Sequence, residues 1–284
     1  MMERIPLREN GLVGTFFRQG RPKAAVIYLG GSSGVLSDQP ACALASCGFL
    51  SLALAYFATD PLPPRLESVP LEYFERAIQR VKEESGIEKI ALWGGSRGAE
   101  LALILGTLFP NQIDAIAAHV PSSVVFGTLD REGGVAWTYR NQPILPSAPF
   151  KYTQKTMGEC RDSAILATPC FLKAMQDREA FERASIPVEK LRSPLLLISA
   201  GDDQMWPSKL FADQIVERLR KYGSSIPFFH LSYEHVGHAP SKGEIGLHAI
   251  MNRWFVFGGS PKENAKASVE WVEKTIRFFQ DYLS

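Results

Sequence analysis

The sequence predicts an α/β chain: a mostly parallel central sheet with helices on both faces. Three observations support that class. Short, nearly continuous apolar runs recur along the 284 residues, as strands buried on both sides require. Longer stretches with apolar residues at helical spacing lie between them. Glycine or a turn-forming cluster follows most of the runs, so the chain is punctuated as strand, turn and helix.

The first clear buried strand is residues 24–29, Ala-Ala-Val-Ile-Tyr-Leu, which end on Gly30-Gly31-Ser32-Ser33-Gly34. A helix fits from 38 to 47, with Gly48 as its stop. Residues 49–55 are the next strand. Over 71–84, Leu71, Phe74, Ala77, Ile78 and Val81 recur with a helical period, and Gly86 follows the end. The strand 89–93 runs straight into a glycine-rich turn at Ser96. The mostly apolar stretch 100–109 reads as a buried helix, with Pro110 just beyond it. Residues 115–119 are strand-like. From Pro121 to Pro187 the period fades into scattered prolines, glycines and aromatics. Strand logic resumes at 194–199, then a helix over 208–221, a last strand at 228–231 and a closing helix over 265–283. No repeat or low-complexity linker divides the chain, which reads as one domain, 1–284. The stretch 121–187 is too long for a simple loop in a compact domain. It is read as a lid-like insertion over the C-terminal edge of the sheet, where α/β folds bind ligands, with a variable surface excursion as the alternative.

Composition narrows the function classes. Hydrophobic residues make up 45% and charged residues 21%, ordinary values for a globular protein. With 31 basic against 30 acidic side chains, no concentrated positive field exists to hold nucleic acid. The five histidines and four cysteines show no C-x-x-C or H-E-x-x-H spacing, so neither a metal nor another cofactor is expected. Cys42, Cys47, Cys160 and Cys170 read as buried or incidental thiols. Residues 1–6 lack the apolar stretch of a secretory signal. The longest apolar run, 49–58, is about half of the ~20 residues a bilayer span needs. No membrane contact is expected, and the expected compartment is the cytoplasm.

The strongest chemical signal is Gly94-Gly95-Ser96-Arg97-Gly98 between a strand and a helix. A serine in such a turn adopts a strained backbone conformation that lifts its hydroxyl clear of the sheet. Side chains two residues to either side would collide, which is a steric reason for glycine at 94 and 98. The following helix directs its N-terminal amides at the same point and favours developing negative charge. A serine hydroxyl is a weak nucleophile and needs a base oriented by a carboxylate. In this fold the order along the chain is serine, acid, histidine, each after a strand, and no metal is needed. The acid is read as Asp203 in Gly201-Asp202-Asp203-Gln204-Met205-Trp206-Pro207, with Asp202 as its competitor; the other aspartate is left to cap a helix or bond the loop. The base is read as His238 in Glu234-His235-Val236-Gly237-His238, with His235 as its rival. His119, His230 and His248 are read as structural. The oxyanion donors are read as the amides of Arg97 and Gly31, with Ser32 as the alternative to Gly31. The Arg97 side chain either binds an anionic group or lies in a surface ion pair. Phe126, Trp137, Tyr139, Phe150, Tyr152 and Phe171 form either an apolar acyl pocket or the insertion's own small core.

Several segments resemble one family of α/β-hydrolases. Leu54-Ala55-Tyr56-Phe57, Pro70-Leu71-Glu72-Tyr73-Phe74-Glu75, the Ser96 turn, Gly201 to Ser208 and Gly258-Gly259-Ser260-Pro261 are similar to the acyl-CoA thioesterase and bile acid-CoA:amino acid N-acyltransferase C-terminal domain. The resemblance runs from about residue 22 to the end. It implies an α/β-hydrolase fold, with the family's triad falling on Ser96, Asp203 and His238. It also implies a small acyl thioester substrate. Family members that transfer the acyl group to glycine or taurine typically carry cysteine at the turn, whereas thioesterases carry serine, so Ser96 implies hydrolysis. Full-length animal members have an N-terminal β-sandwich ahead of this region; here the first core strand starts at residue 24. The expected reaction is acyl-CoA to free acid and CoA through a Ser96 acyl-enzyme. A carboxylesterase or amidase acting on a small metabolite, an N-acyltransferase and a non-catalytic binding protein are the alternatives. Lys151, Lys155 and Arg161 either hold CoA phosphates or serve as solubilising surface charge.

Overall fold

The computed structural model describes residues 1–34, 36–128, 134–145, 164–240 and 254–284. The expectations on Phe150, Tyr152, Lys151, Lys155, Arg161, Cys160 and His248 fall outside those residues. Eight strands form the main sheet in the order β1-β2-β4-β3-β6-β7-β10-β11. They are β1 (Glu3–Glu9), β2 (Leu12–Arg18), β3 (Ala25–Leu29), β4 (Leu50–Ala55), β6 (Ile90–Gly95), β7 (Ala115–His119), β10 (Leu195–Ala200) and β11 (Phe228–Tyr233). From β4 to β11 all neighbours are parallel, while β2 runs antiparallel to both β1 and β4. Strands β4, β7 and β10 are buried along their whole length, which is why they read as unbroken apolar runs.

The β1–β2 hairpin extends the sheet beyond the strand first recognised at 24–29. Its turn is Asn10-Gly11, both with positive φ (50° and 75°), and Glu9 pairs with Leu12 across it. Asn-Gly suits such a turn because both residues tolerate that backbone geometry. β1 lies at the edge, and its charged residues and Pro6 discourage further strand pairing.

Helices cover both faces. On one face lie α2 (Glu72–Ser85), α3 (Arg97–Leu108) and α6 (Ser208–Lys221), which bury Phe74, Ile78, Leu101 and Ile215 in one core. On the other lie α1 (Asp38–Ser46) and α7 (Pro261–Leu283), which bury Leu44, Trp271, Phe278 and Phe279 in a second. Each such large apolar side chain contributes about 1.5–3 kcal/mol by leaving water. Gly86 closes α2 in the left-handed conformation (φ 65°), its amide donating to Lys82 O at 2.7 Å. Ser260 caps α7 by accepting from the Glu263 amide at 3.2 Å, with Pro261 in the first turn.

The described parts of 121–187 are not featureless. They contribute β8 (Trp137–Tyr139) and β9 (Gln142–Pro143), which join β5 (Val69–Pro70) in a three-stranded sheet. They also contribute the short helices α4 (Thr168–Ala174) and α5 (Arg178–Ala184). Val124, Phe126, Phe171 and Phe181 pack there with Trp206 and Phe211, so Phe126 and Phe171 do build a local core. Trp137 instead joins the main core, and Tyr139 packs edge-on against Phe109. Cys42 and Cys47 are free thiols, and Cys170 is buried. Among the described residues no helix is long and apolar enough to cross a membrane.

Candidate active site

Strand β6 ends at Gly95 and α3 begins at Arg97, so Ser96 alone makes the turn. Its φ of 55° and ψ of −121° fall where a non-glycine residue is strained by about 1–3 kcal/mol. The turn is held by the Ser96 amide donating to His119 O at 2.9 Å, and by Ser96 O accepting from the Ala99 and Glu100 amides. A Cβ on Gly94 would lie 2.1 Å from Gly98 O, and one on Gly98 would lie 2.1 Å from Leu29 O. Gly95 faces open space, so the flanking glycines, not the central one, permit the turn. Gly98→Ala should therefore lower stability by about 3 kcal/mol or more, because its Cβ would collide with the Leu29 and Gly30 carbonyls, which are backbone and cannot swing aside. The urea unfolding midpoint reads this, and an unchanged midpoint would contradict the tight packing.

The candidate acid follows β10. Asp203 is buried, and its Oδ1 accepts from the Met205 and Trp206 amides at 3.0 and 3.2 Å. The histidine follows β11. His238 is also buried, its amide donating to Phe257 O at 2.8 Å. Its ring meets the edge of Trp206 at 5.6 Å and stacks on Phe257 at 6.3 Å. The chain passes close behind it: a Cβ on Gly237 would lie 2.2 Å from Gly258 O. His238 Nδ1–H donates to both Asp203 oxygens, at 2.9 and 3.0 Å. Ser96 Oγ–H then donates to His238 Nε2 at 2.8 Å. In this tautomer the imidazole is free to take the serine proton.

The rival residues lie elsewhere in the network. Asp202 Oδ2 accepts from the Gly259 amide at 2.7 Å and Oδ1 from Gln204 Nε2 at 2.5 Å, so Asp202 fastens the acid loop to the chain behind His238. His235 is exposed, and its carbonyl accepts from the Ser260 amide at 3.0 Å. His119 is buried against Thr275 Oγ1 at 2.7 Å, and burial lowers its pKa to about 3. His230 Nε2 lies 2.7 Å from Ser199 Oγ and its Nδ1 lies 3.4 Å from Asp213 Oδ1, a second serine–histidine–aspartate arrangement. Ser199, however, is fully buried within β10. No substrate reaches a serine in that position, so spacing alone does not make a nucleophile.

Gly31 adjoins the serine: a Cβ there would lie 3.3 Å from Ser96 Cβ and 3.8 Å from Oγ. As the first residue of α3, Arg97 has an amide with no partner inside the helix. Tyr56 donates its hydroxyl to Gly30 O and so steadies the loop that carries Gly31. A small cleft at Ser96 is lined by Ser32, Arg97, Phe171, Met205, Trp206 and His238.

The Arg97 side chain corrects the sequence reading. It lies neither on the surface nor in an open anion site but is 1% exposed. NH1 donates to Glu100 Oε2 at 2.7 Å, and NH2 donates to Phe126 O at 2.9 Å and Gly127 O at 3.2 Å. The physical reason is that α3 is buried from Arg97 to Gly106, so its first turn has no solvent-facing side. Burial pushes Glu100 up to about 7, against the pull of Arg97, Trp137 Nε1–H and the Phe126 amide. Trp206 and Phe257 were also not singled out as site residues. Trp206 sits in a conspicuous motif, but Phe257 lies in a stretch without periodic signal.

Comparison with known proteins identifies the family and the fold. Residues 69–284 match the family model described as BAAT / Acyl-CoA thioester hydrolase C terminal. The chain is 27% identical to acyl-coenzyme A thioesterase 2, mitochondrial, of Mus musculus, covering 99% of this chain and 61% of that protein. It is 30% identical to acyl-coenzyme A thioesterase 6 of Homo sapiens, covering 93% and 61%. The chain thus spans less than two thirds of the length of these relatives. Among solved structures, an α/β hydrolase enzyme from a Medee basin deep-sea metagenome library matches with a TM-score of 0.57 at 16% identity, over 100% of this chain and 98% of that one. An esterase of Pyrococcus furiosus matches with a TM-score of 0.55 at 14% identity, over 100% and 92%. The fold is that of the α/β-hydrolases, and the chain belongs to the BAAT / acyl-CoA thioester hydrolase C-terminal family.

Proposed function

We propose that this chain is a serine hydrolase that cleaves an acyl thioester, an acyl-CoA, to the free acid and a thiol. The observation that carries this is the unbroken relay from Ser96 Oγ through His238 to Asp203, at 2.8 Å and then 2.9 Å. His238 Nε2 takes the hydroxyl proton as Ser96 Oγ attacks the thioester carbonyl. The amides of Arg97 and Gly31 receive the oxyanion. Collapse of the tetrahedral intermediate expels the thiolate, which takes its proton from His238, and leaves an ester on Ser96. Water, activated by the same imidazole, hydrolyses that ester. Asp203 holds the Nδ1–H tautomer throughout and stabilises the imidazolium. The segment 121–187 acts as a lid, supported by Phe171, which joins its aromatic core to the wall of the cleft. The family match and the thioesterase relatives favour a thioester over an oxygen ester.

A panel of acyl-CoAs of increasing chain length, beside p-nitrophenyl esters, tests this reading by following free thiol or phenolate. CoA release with kcat/KM at least about tenfold above that for the matched ester is expected, a difference of roughly 1.4 kcal/mol in barrier. Turnover of the esters without CoA release would overturn the thioester assignment but not the nucleophile.

A further inference from the structure

The hydrolase mechanism uses the backbone amide of Arg97 and leaves its buried guanidinium without a role. That guanidinium is part of a network that ties the start of α3 to two other segments. Three donors converge on the Glu100 carboxylate: Arg97 NH1 at 2.7 Å and the Phe126 amide at 3.4 Å on Oε2, and Trp137 Nε1 at 2.8 Å on Oε1. Arg97 NH2 reaches back to the Phe126 and Gly127 carbonyls. Its guanidinium carbon also lies 5.8 Å from the centre of the Trp137 ring. Glu100 is 0% exposed, so none of these bonds competes with water.

We propose that Glu100 is a positioning residue, which locks the first turn of α3 so that the Arg97 amide faces the oxyanion formed at Ser96. The inference rests on the serine-hydrolase reading of the site. Two physical arguments support it. An ion pair this deeply buried is a poor device for stability, since apolar replacements of equal volume are often as stable or more so. What it supplies is a single orientation, because the carboxylate meets donors on both oxygens. The second argument is where the lock acts. Ser96 O accepts from the Glu100 amide, so the residue that bears the carboxylate is also bonded to the nucleophile's own peptide. A shift of the Glu100 side chain therefore moves the turn that carries both the nucleophile and the oxyanion donor. Displacements of about 1 Å at such a site cost on the order of 100-fold in rate.

Glu100→Gln isolates the effect. An amide in place of the carboxylate has only one acceptor, so it must present its NH2 either to Trp137 Nε1–H or to Arg97 NH1 and the Phe126 amide. Trp137→Phe removes one donor and keeps an aromatic ring. The probe is an alkyl fluorophosphonate: Ser96 Oγ forms a bond to phosphorus, fluoride leaves and the hydroxyl proton passes to His238, with the phosphoryl oxygen in the oxyanion site. The expected result for Glu100→Gln is a fall in the maximal labelling rate of about 30-fold with the half-saturating probe concentration unchanged. Trp137→Phe should move the same parameter by about threefold, roughly one lost hydrogen bond. Equal maximal rates for wild type and folded Glu100→Gln would overturn the inference. If Glu100→Gln does not unfold cooperatively in urea, Trp137→Phe decides: a lower maximal rate sustains the proposal and an unchanged one ends it. Failure of the wild type itself to label would overturn the nucleophile assignment and this inference with it, whereas equal labelling of all three overturns the inference alone.

Discussion

Ser96→Ala is expected to lower kcat on the best acyl-CoA of the panel by about 100,000-fold or more while leaving KM within about threefold, because only the bond-forming atom is removed. The residual rate would still exceed the uncatalysed one, since the oxyanion amides and the bound geometry remain. The substitution is clean for a structural reason. The strain of the turn resides in its backbone, with φ 55°, and alanine adopts that conformation no less readily than serine. Among the described residues the hydroxyl makes one hydrogen bond, to His238, whose ring stays held by Asp203, Trp206 and Phe257. The urea midpoint should therefore stay near that of the wild type, which separates lost chemistry from lost fold. Fluorophosphonate labelling should vanish in parallel. A variant that keeps a tenth of the activity would mean that another group does the attacking and would overturn the nucleophile assignment; the Ser199–His230 pair, of similar spacing, is too buried to take that role.

Much of this site was legible because parallel strands are buried on both faces and announce themselves as apolar runs. The turn after such a run is where ligand chemistry sits, so Ser96, Asp203 and His238 could each be placed at a strand end before any geometry was known. The limits have physical causes. The β1–β2 hairpin gives little strand signal because β1 lies at the exposed edge, carries a pair of charged residues at each end and holds a proline between them. Its Asn10-Gly11 turn was nevertheless a readable signal. For Arg97 the sequence offers an anion site or a surface ion pair; neither reading holds, because nothing local shows that Glu100, one turn on, is fully buried. The carbonyls that accept from Arg97 NH2 come from Phe126 and Gly127, far along the chain. Phe257 stacks on His238 from a segment without helical or strand period, so the pairing exists only in three dimensions.

Asp203→Asn should reduce kcat by about 10,000-fold, whereas Asp202→Asn should change it by less than about fivefold. The two side chains are identical and adjacent in the chain, so the contrast tests the geometry and not the sequence. In Asp203→Asn the amide oxygen is claimed by the Met205 and Trp206 amides, which now bond Oδ1. The amide NH2 is left facing His238 Nδ1, which must then accept, and the imidazole proton moves to Nε2. An imidazole protonated at Nε2 cannot take the proton of Ser96 Oγ, and no carboxylate remains to stabilise the imidazolium. Raising the pH does not restore the activity, because the fault is a tautomer rather than a charge state. Asp202 stands apart from that exchange. Its oxygens hold the Gly259 amide and Gln204 Nε2, bonds that fasten the segment behind His238. Asparagine keeps one acceptor there, so the expected loss is about 1 kcal/mol of stability with a small effect on rate. If the two variants exchanged behaviour, the 2.9 Å contact between Asp203 and His238 would be structural, and the acid would have to be assigned to the loop's outer carboxylate.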